Sequence, residues 1–309
     1  LYKDSELLSF IYSIKLNESL FNNFLTSPDD DISSVSSFLL CEIAQIDKDS
    51  TDLIIQLLFN FSASISEISE FFKDKFANGD ENIDLNIKYG IKYSTLFKSI
   101  LFFASDSPDW LNSIVSNDFC SLCCQILPIV SEIIQFQVDI KKSIFFSILS
   151  SIFSILALAI NNENGLESFI SSNLIVLISQ LDLIYPGQNQ QLFNIIMDLF
   201  AKLIIISNSN INQQIIANEI IEKVCYCALN AGYQNKISAI KFITTIFQSN
   251  VKEMCQIILN NNGIQPFFDN FDTLDNDILI FVIQSLISFL SSNPESKELF
   301  LAYDIDKLA

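Results

Sequence analysis

The sequence has 309 residues, half of them hydrophobic and 17% charged, a composition that excludes a disordered chain. Its formal net charge of −19 disfavours binding to nucleic acid or anionic lipid and favours basic partners. All basic residues are lysines, with no arginine and no histidine. This excludes Ser/His/Asp and Cys/His nucleophilic systems and histidine metal sites. No residue spacing indicates catalysis, so we expect no enzymatic activity and no cofactor.

The first third of the chain is predicted to be helical. Residues 1–62 form two or three helices, and Pro28 with the acidic run that begins at Asp29 marks the start of one of them. A further pair of helices is predicted at 64–76 and 83–104, joined by a polar loop at 77–82. The apolar spacing fits helices and shows no strand-like alternation.

Two more helical units are predicted in the middle of the chain. One has helices at 110–127 and 140–160 with a turn near Pro128, and the other has helices at 169–181 and 190–206 with a turn at Pro186 and Gly187. Residues 143–160 contain no charge and are just long enough to cross a membrane. A membrane-anchored helix is therefore an alternative to a buried repeat helix here.

A pattern of large apolar residues recurs near the C-terminus, and each residue of the second copy follows its counterpart by 43 positions. The first copy is Ile221, Val224, Ile237, Ala239, Ile240, Ile243, Ile246 and Phe247, and the second is Ile264, Phe267, Ile280, Val282, Ile283, Leu286, Phe289 and Leu290. Periods of about 40 to 47 residues are typical of stacked helical repeats. The sequence thus predicts an all-α solenoid.

Residues 254–293 resemble the armadillo repeat. The resemblance lies in Gly263-Ile264, in Pro266 at the start of a second helix near 264–270, in an acidic break, and in a long third helix closing on Ser292-Asn293. Glycine suits a tight corner between helices, and Asp275 or Asn276 would cap the third helix. The unit at 211–250 keeps the apolar positions and lacks the glycine and the proline. HEAT repeats share this length and pattern.

The resemblance implies a right-handed α-α superhelix of five or six armadillo or HEAT-like repeats. We expect residues 1–309 to form one elongated domain that is part of a longer chain. Armadillo proteins such as importin-α and β-catenin hold extended peptides on the concave surface lined by third helices, so the resemblance implies a protein or peptide partner.

Polar residues interrupt the third helices at positions i and i+4, which share one helical face. Three such pairs recur at steps of 43: Asp198 with Lys202, Lys241 with Thr245, and Gln284 with Ser288. We expect these six residues to line a concave binding groove. The Trp and Asn residues that hold the peptide backbone in importin-α are absent from these positions, so the groove is predicted to bind in another way.

Two possible metal sites have simpler interpretations. The acidic turn at Asp269, Asp272, Asp275 and Asp277 lacks the glycine and glutamate of a calcium loop and fits helix capping. Cys120, Cys123 and Cys124 contain a C-x2-C element, yet without histidine a zinc site would need further thiolates or carboxylates. We therefore predict no metal site, and buried reduced thiols fit a cytoplasmic or nuclear protein.

The function predicted from these features is that of a non-catalytic scaffold or adaptor that binds a partner segment on its concave face. An acidic solenoid also fits a nuclear transport receptor for basic cargo, and this is the first alternative. A membrane-anchored helical protein is the second.

Overall fold

A computed structural model of the chain describes residues 5–78, 84–115, 119–136, 139–181, 183–185, 189–206 and 208–294. Within these ranges all regular structure is helical, which confirms the predicted all-α class. Contacts divide the chain into two compact units, Leu1–Leu174 (unit 1) and Ile175–Ala309 (unit 2). The prediction of one elongated domain stays a prediction.

Unit 1 is built from helices that pack in two layers. The helices are α1 Ser5–Ser13, α2 Leu16–Thr26, α3 Asp30–Ala44, α4 Lys48–Asn78, α5 Asp84–Asp106, α6 Pro108–Val115, α7 Phe119–Phe136, α8 Asp139–Ala159 and α9 Glu163–Ser171. Helices α3, α5 and α8 lie side by side and form the unit 1 layer, while α4 packs on α7 behind it. The apolar sides of both layers are buried against each other.

The core of unit 1 is centred on aromatic residues between the two layers. Tyr93 of α5 contacts Phe24 of α2 and Phe61 of α4, with ring centroids 5.4 and 4.4 Å apart. Phe61 also contacts Phe97 at 5.6 Å. All four rings are almost fully buried. Large aromatic surfaces removed from water in this way are a main source of packing energy.

The helix boundaries of unit 1 differ from the sequence prediction at three places, the first being the helix predicted at 110–127, which is divided between α6 and α7. Residues 64–76 are the second half of one continuous helix, α4, and most of the predicted loop lies outside the described residues. Pro128 lies inside α7, where a turn was predicted. Proline lacks an N–H, but the neighbouring Leu127 and Val130 are fully buried, and this packing holds the helix together. The predicted start of α3 is confirmed, because the Asp29 carboxylate accepts from the backbone N–H of Asp31 at 2.9 Å.

Helix α8 contains the segment considered as a membrane span. Its residues Ile148, Ile152, Ile155 and Leu156 are fully buried within unit 1. In the described ranges, no helix taken singly has both the length and the apolar character to cross a membrane. Helices α6 and α7 together meet those two criteria, with a bend of 71° between them.

Unit 2 repeats a pattern of two short helices followed by a long one. Its helices are α10 Leu174–Gln180, which begins one residue before the unit, α11 Gln190–Ile206, α12 Ser209–Ala217, α13 Ile220–Asn230, α14 Tyr233–Ser249, α15 Lys252–Asn260, α16 Gln265–Asp269 and α17 Asn276–Ser292. The long helices α11, α14 and α17 lie side by side as the unit 2 layer, and α13 packs on α14. Three side-by-side helices in the layer of each unit fit the prediction of five or six repeats.

The corners between the short helices recur with the repeat. Glu219 before α13 and Asn262 before α16 both have left-handed backbones, with φ of 56° and 54°. The sequence assigned this corner to Gly263, but the left-handed residue is the preceding asparagine. Gly263 instead lies where a side chain would be crowded, since a Cβ there would lie 2.6 Å from Ile258 Cγ2 and 2.7 Å from Cys225 Sγ, and these side chains would have to shift.

The last long helix is packed on fewer sides than its repeat partner. Ile237 and Ile240 of α14 are buried, at 8% and 0% exposed, whereas Ile280 and Ile283 of α17 are 52% and 38% exposed. Helix α14 lies between α11 and α17, while α17 has only α14 beside it among the long helices of the described part. Asp275 precedes α17 as predicted, although its side chain makes no capping hydrogen bond.

Candidate functional site

The long helices of unit 2 are held in register by hydrogen bonds at the repeat step. The Ser238 hydroxyl of α14 donates to the Asn194 side-chain oxygen of α11. The Asn293 amide after α17 donates to the Asn250 side-chain oxygen after α14 at 2.8 Å. Because these bonds join residues 44 and 43 positions apart, equivalent positions of neighbouring long helices lie side by side.

The charged residues of the predicted groove lie close together on the solvent-facing side of the unit 2 layer. Burial raises the pKa of the Asp198 carboxyl, and the positive charges of Lys241 and Lys202 offset part of this rise. Lys241 is exposed and Lys202 is half-buried. One carboxylate and two ammonium groups of α11 and α14 thus interact electrostatically and present both signs of charge on this side of the layer.

The remaining predicted residues divide into exposed and buried positions. Gln284 and Ser288 of α17 are exposed, as expected for a surface. Thr245 is only 7% exposed, and its hydroxyl donates to the Lys241 carbonyl at 3.0 Å. Thr245 therefore does not belong to the surface, because its small side chain is covered where the long helices pack. Binding by the other five residues stays a prediction.

Sequence reasoning missed Asn194, which lies one helical turn before Asp198 on the same face of α11. Its side-chain oxygen is taken by Ser238, while its NH2 group has no hydrogen-bond partner in the described part of the chain. The signal was its position four residues before Asp198, since the i, i+4 spacing extends the polar side of α11 by one turn. We call Asn194, Asp198, Lys202, Lys241, Gln284 and Ser288 the unit 2 polar face.

A second surface that the sequence did not indicate lies on the unit 1 layer. A cleft of about 390 Å3 runs between α3 and α5 and is lined by Ser34, Val35, Phe38, Leu39, Thr95, Lys98 and Ser99. We call it the unit 1 apolar cleft. The sequence did not indicate this cleft, because an apolar residue in a helix does not show which neighbouring element is missing.

The acidic turn and the cysteines show no metal-binding arrangement. In the described ranges, no three His, Cys, Asp or Glu side chains group closely enough to hold a metal ion. All seven cysteines are free thiols, six of them buried and Cys124 half-buried. Burial raises the pKa of Cys120 to about 11 and those of Cys225, Cys227 and Cys255 to about 12.

We predict that the folded chain resists alkylation. At pH 8, the buried thiols are protonated and shielded, and the thiolate is the reactive form. Treatment with iodoacetamide followed by mass spectrometry should modify Cys124 slowly and Cys225, Cys227 and Cys255 hardly at all, whereas urea should expose all seven. Rapid native modification of Cys225 would contradict the burial described for α13.

Known structures share this arrangement of helices. A designed armadillo repeat protein in complex with the peptide (KR)4 superimposes with a TM-score of 0.51 at 11% identity, covering 88% of this chain and 98% of that chain. Computationally designed armadillo repeat proteins for modular peptide recognition give a TM-score of 0.49 at 12% identity, with 88% and 98% covered. No protein-family model and no curated protein sequence matches the chain. The first similarity shows that the chain has the armadillo-repeat fold, as its last unit predicted.

Proposed function

We propose that this armadillo-fold chain is a non-catalytic scaffold or adaptor that binds an extended polypeptide segment on the solvent-facing sides of its long helices. The observation that carries the proposal is the alignment of α11 and α14 by the hydrogen bond from Ser238 to Asn194, on a layer where the charges of Lys202 and Lys241 act on Asp198. Stacked repeats supply a surface that is ordered before binding, so little conformational entropy is lost when a segment docks.

The unit 2 polar face offers complementary groups for a peptide. The NH2 group of Asn194 can donate to a backbone carbonyl, the lysines can pair with carboxylates, and Asp198 can pair with a basic side chain. Gln284 adds a neutral donor and acceptor on α17. These groups form hydrogen bonds and ion pairs with a chain laid across them.

A nuclear transport receptor for basic cargo is the second candidate, and the net charge of −19 favours it. The designed protein of similar fold was solved with the peptide (KR)4, and a chain this acidic would attract such a peptide at long range. Under this proposal, binding to Lys-rich and Arg-rich peptides weakens steeply with salt, and the protein is found in both cytoplasm and nucleus.

The test is selection of a random-peptide phage library on the purified chain, followed by titration of the enriched peptides by fluorescence anisotropy. We predict that the double variant Lys202→Glu, Lys241→Glu weakens a class of enriched peptides at least tenfold, because two of the three charges at the polar face are reversed. Its circular dichroism should be unchanged.

The control is Lys252→Glu, which reverses a charge at the first residue of α15, outside the polar face, where glutamate suits the helix start. It should leave those peptides bound. Enrichment of no peptide would refute the scaffold proposal, and equal weakening by the control would remove the polar face from it. Enrichment confined to basic peptides lost at high salt would favour the transport receptor.

A further inference from the structure

Helix α3 carries apolar residues on two opposite sides. Leu40, Cys41 and Ala44 are buried in unit 1. On the other side, large apolar residues follow one another at i, i+3 and i+7 and face solvent: Ile32 at 48% exposed, Val35 at 57%, and Leu39 at 37%, with Phe38 beside them at 41%. Contiguous exposed apolar surface of this kind usually marks an interaction site.

Helix α5 completes the surface. Phe102 is 56% exposed, and its ring lies 5.8 Å from that of Phe38, which also contacts the buried Phe103 at 4.9 Å. Phe38 thus forms a wall of the cleft that is anchored in the core through Phe103, with Phe102 beside it. Because the wall is fixed before any ligand arrives, an apolar side chain entering the cleft would meet a preformed site.

The hydroxyl groups of α5 in the cleft do not make it polar. The Thr95 hydroxyl donates to the Lys92 carbonyl at 2.6 Å, and the Ser99 hydroxyl donates to the Thr95 carbonyl at 2.9 Å. Both hydroxyls donate hydrogen bonds within their own helix, so neither needs an acceptor from a ligand. The cleft therefore favours a hydrocarbon side chain, and about 390 Å3 is enough for one or two of them.

Lys98 is the charged residue among those that line the cleft. It is exposed and has no carboxylate within 4.0 Å in the part of the chain that the structure describes. In a protein with 36 acidic residues, an apolar cleft that carries an unpaired ammonium group selects for a ligand with the opposite charge beside its apolar anchor.

We propose that the unit 1 apolar cleft binds a peptide segment in which a leucine, isoleucine or phenylalanine is flanked by aspartate or glutamate. The side chain enters between α3 and α5, and the carboxylate pairs with Lys98. The inference rests on the proposed peptide-binding function and names the ligand of one surface. This acidic ligand differs from basic cargo, which the net charge of the protein attracts and Lys98 repels.

The test uses the same random-peptide library at physiological salt. Charges more than about 8 Å apart are then largely screened, so Lys98 affects a peptide in the cleft more than distant acidic residues do. Cleft-dependent peptides are those that bind the wild type and lose binding to the double variant Val35→Ser, Phe102→Ser. Both replaced side chains are more than half exposed, so the variant keeps the fold, which circular dichroism checks. We expect these peptides to be enriched in an apolar residue next to Asp or Glu.

Lys98→Glu should weaken the acidic peptides at least tenfold and, in a fresh selection, should enrich Lys or Arg at the same flanking positions. Lys48→Glu, the same charge change at the first residue of α4, should leave the acidic preference intact. The inference is overturned if cleft-dependent peptides are absent, if their flanks are basic, or if Lys98→Glu leaves the flanks unchanged. Peptides that map only to the unit 2 polar face would refute this inference alone, whereas enrichment of no peptide would refute the scaffold function as well.

Discussion

Replacing Ile243 by aspartate is expected to lower the free energy of unfolding by about 4 kcal/mol or more. Ile243 is 0% exposed in α14, the long helix that packs on α11, α13 and α17. A carboxylate at this position loses the apolar contacts and enters an environment without water. Urea unfolding followed by circular dichroism measures the loss, and hydrogen exchange across α14 shows whether unit 2 opens.

Two matched variants separate burial from the effect of adding a charge. Ile280→Asp, on the 52% exposed side of α17, should cost less than about 1 kcal/mol. Leu286, the repeat counterpart of Ile243, is only half-buried, so Leu286→Asp should fall between the two. The repeat register alone, which places Leu286 at the position equivalent to Ile243, would predict a loss of several kcal/mol at both. Equal losses in all three variants would show that the long helices do not pack as described.

Replacing Gly165 by alanine is expected to cost about 3 kcal/mol or more. Gly165 lies in the first turn of α9, where its N–H donates to the Asn162 side chain at 2.7 Å. A Cβ would lie 2.1 Å from the carbonyl oxygen of Ala159 and 2.7 Å from its carbonyl carbon. Both atoms belong to the backbone at the end of α8, so the clash is relieved only by moving one helix away from the other.

Gly232→Ala is the matched control, because nothing lies within 4 Å of a Cβ at this position before α14. It should change the free energy of unfolding by less than about 1 kcal/mol. Comparison of the two midpoints of thermal unfolding checks the prediction. A Gly165→Ala protein as stable as the control would mean that α8 and α9 are not in this close approach.

The repeat could be predicted from the sequence because its cause is local and recurs. A helix must bury its apolar side, so Ala239 and Val282, which are 43 positions apart, are buried at equivalent positions of α14 and α17. The start of α3 at Asp29 could also be predicted, because the hydrogen bonds of an N-cap residue lie within the first turn of its own helix. The ends of helices could be predicted less well, as the continuous α4 and the proline inside α7 show. Packing against neighbouring helices outweighs the local preference of polar residues and proline for a turn.

The binding surfaces could be predicted only in part. The i, i+4 spacing placed Asp198 and Lys202 on one face, and the repeat step added Lys241, which the structure places nearby. The same reasoning put Thr245 on the surface, where it is not, and overlooked Asn194. Periodicity defines which residues share a side of a helix, but the width of the exposed strip depends on how closely the adjacent helix approaches.

The sequence by itself therefore determined the helical class, the repeat length and the register of the apolar positions, because these follow from spacing along one chain. Only the tertiary structure decided which apolar residues remain in solvent, such as Phe38 and Phe102, and how little room a Cβ has at Gly165 and Gly263. The physical reason is that exposure and steric clearance are properties of two elements in contact, and a residue's own neighbours in sequence do not specify the second element.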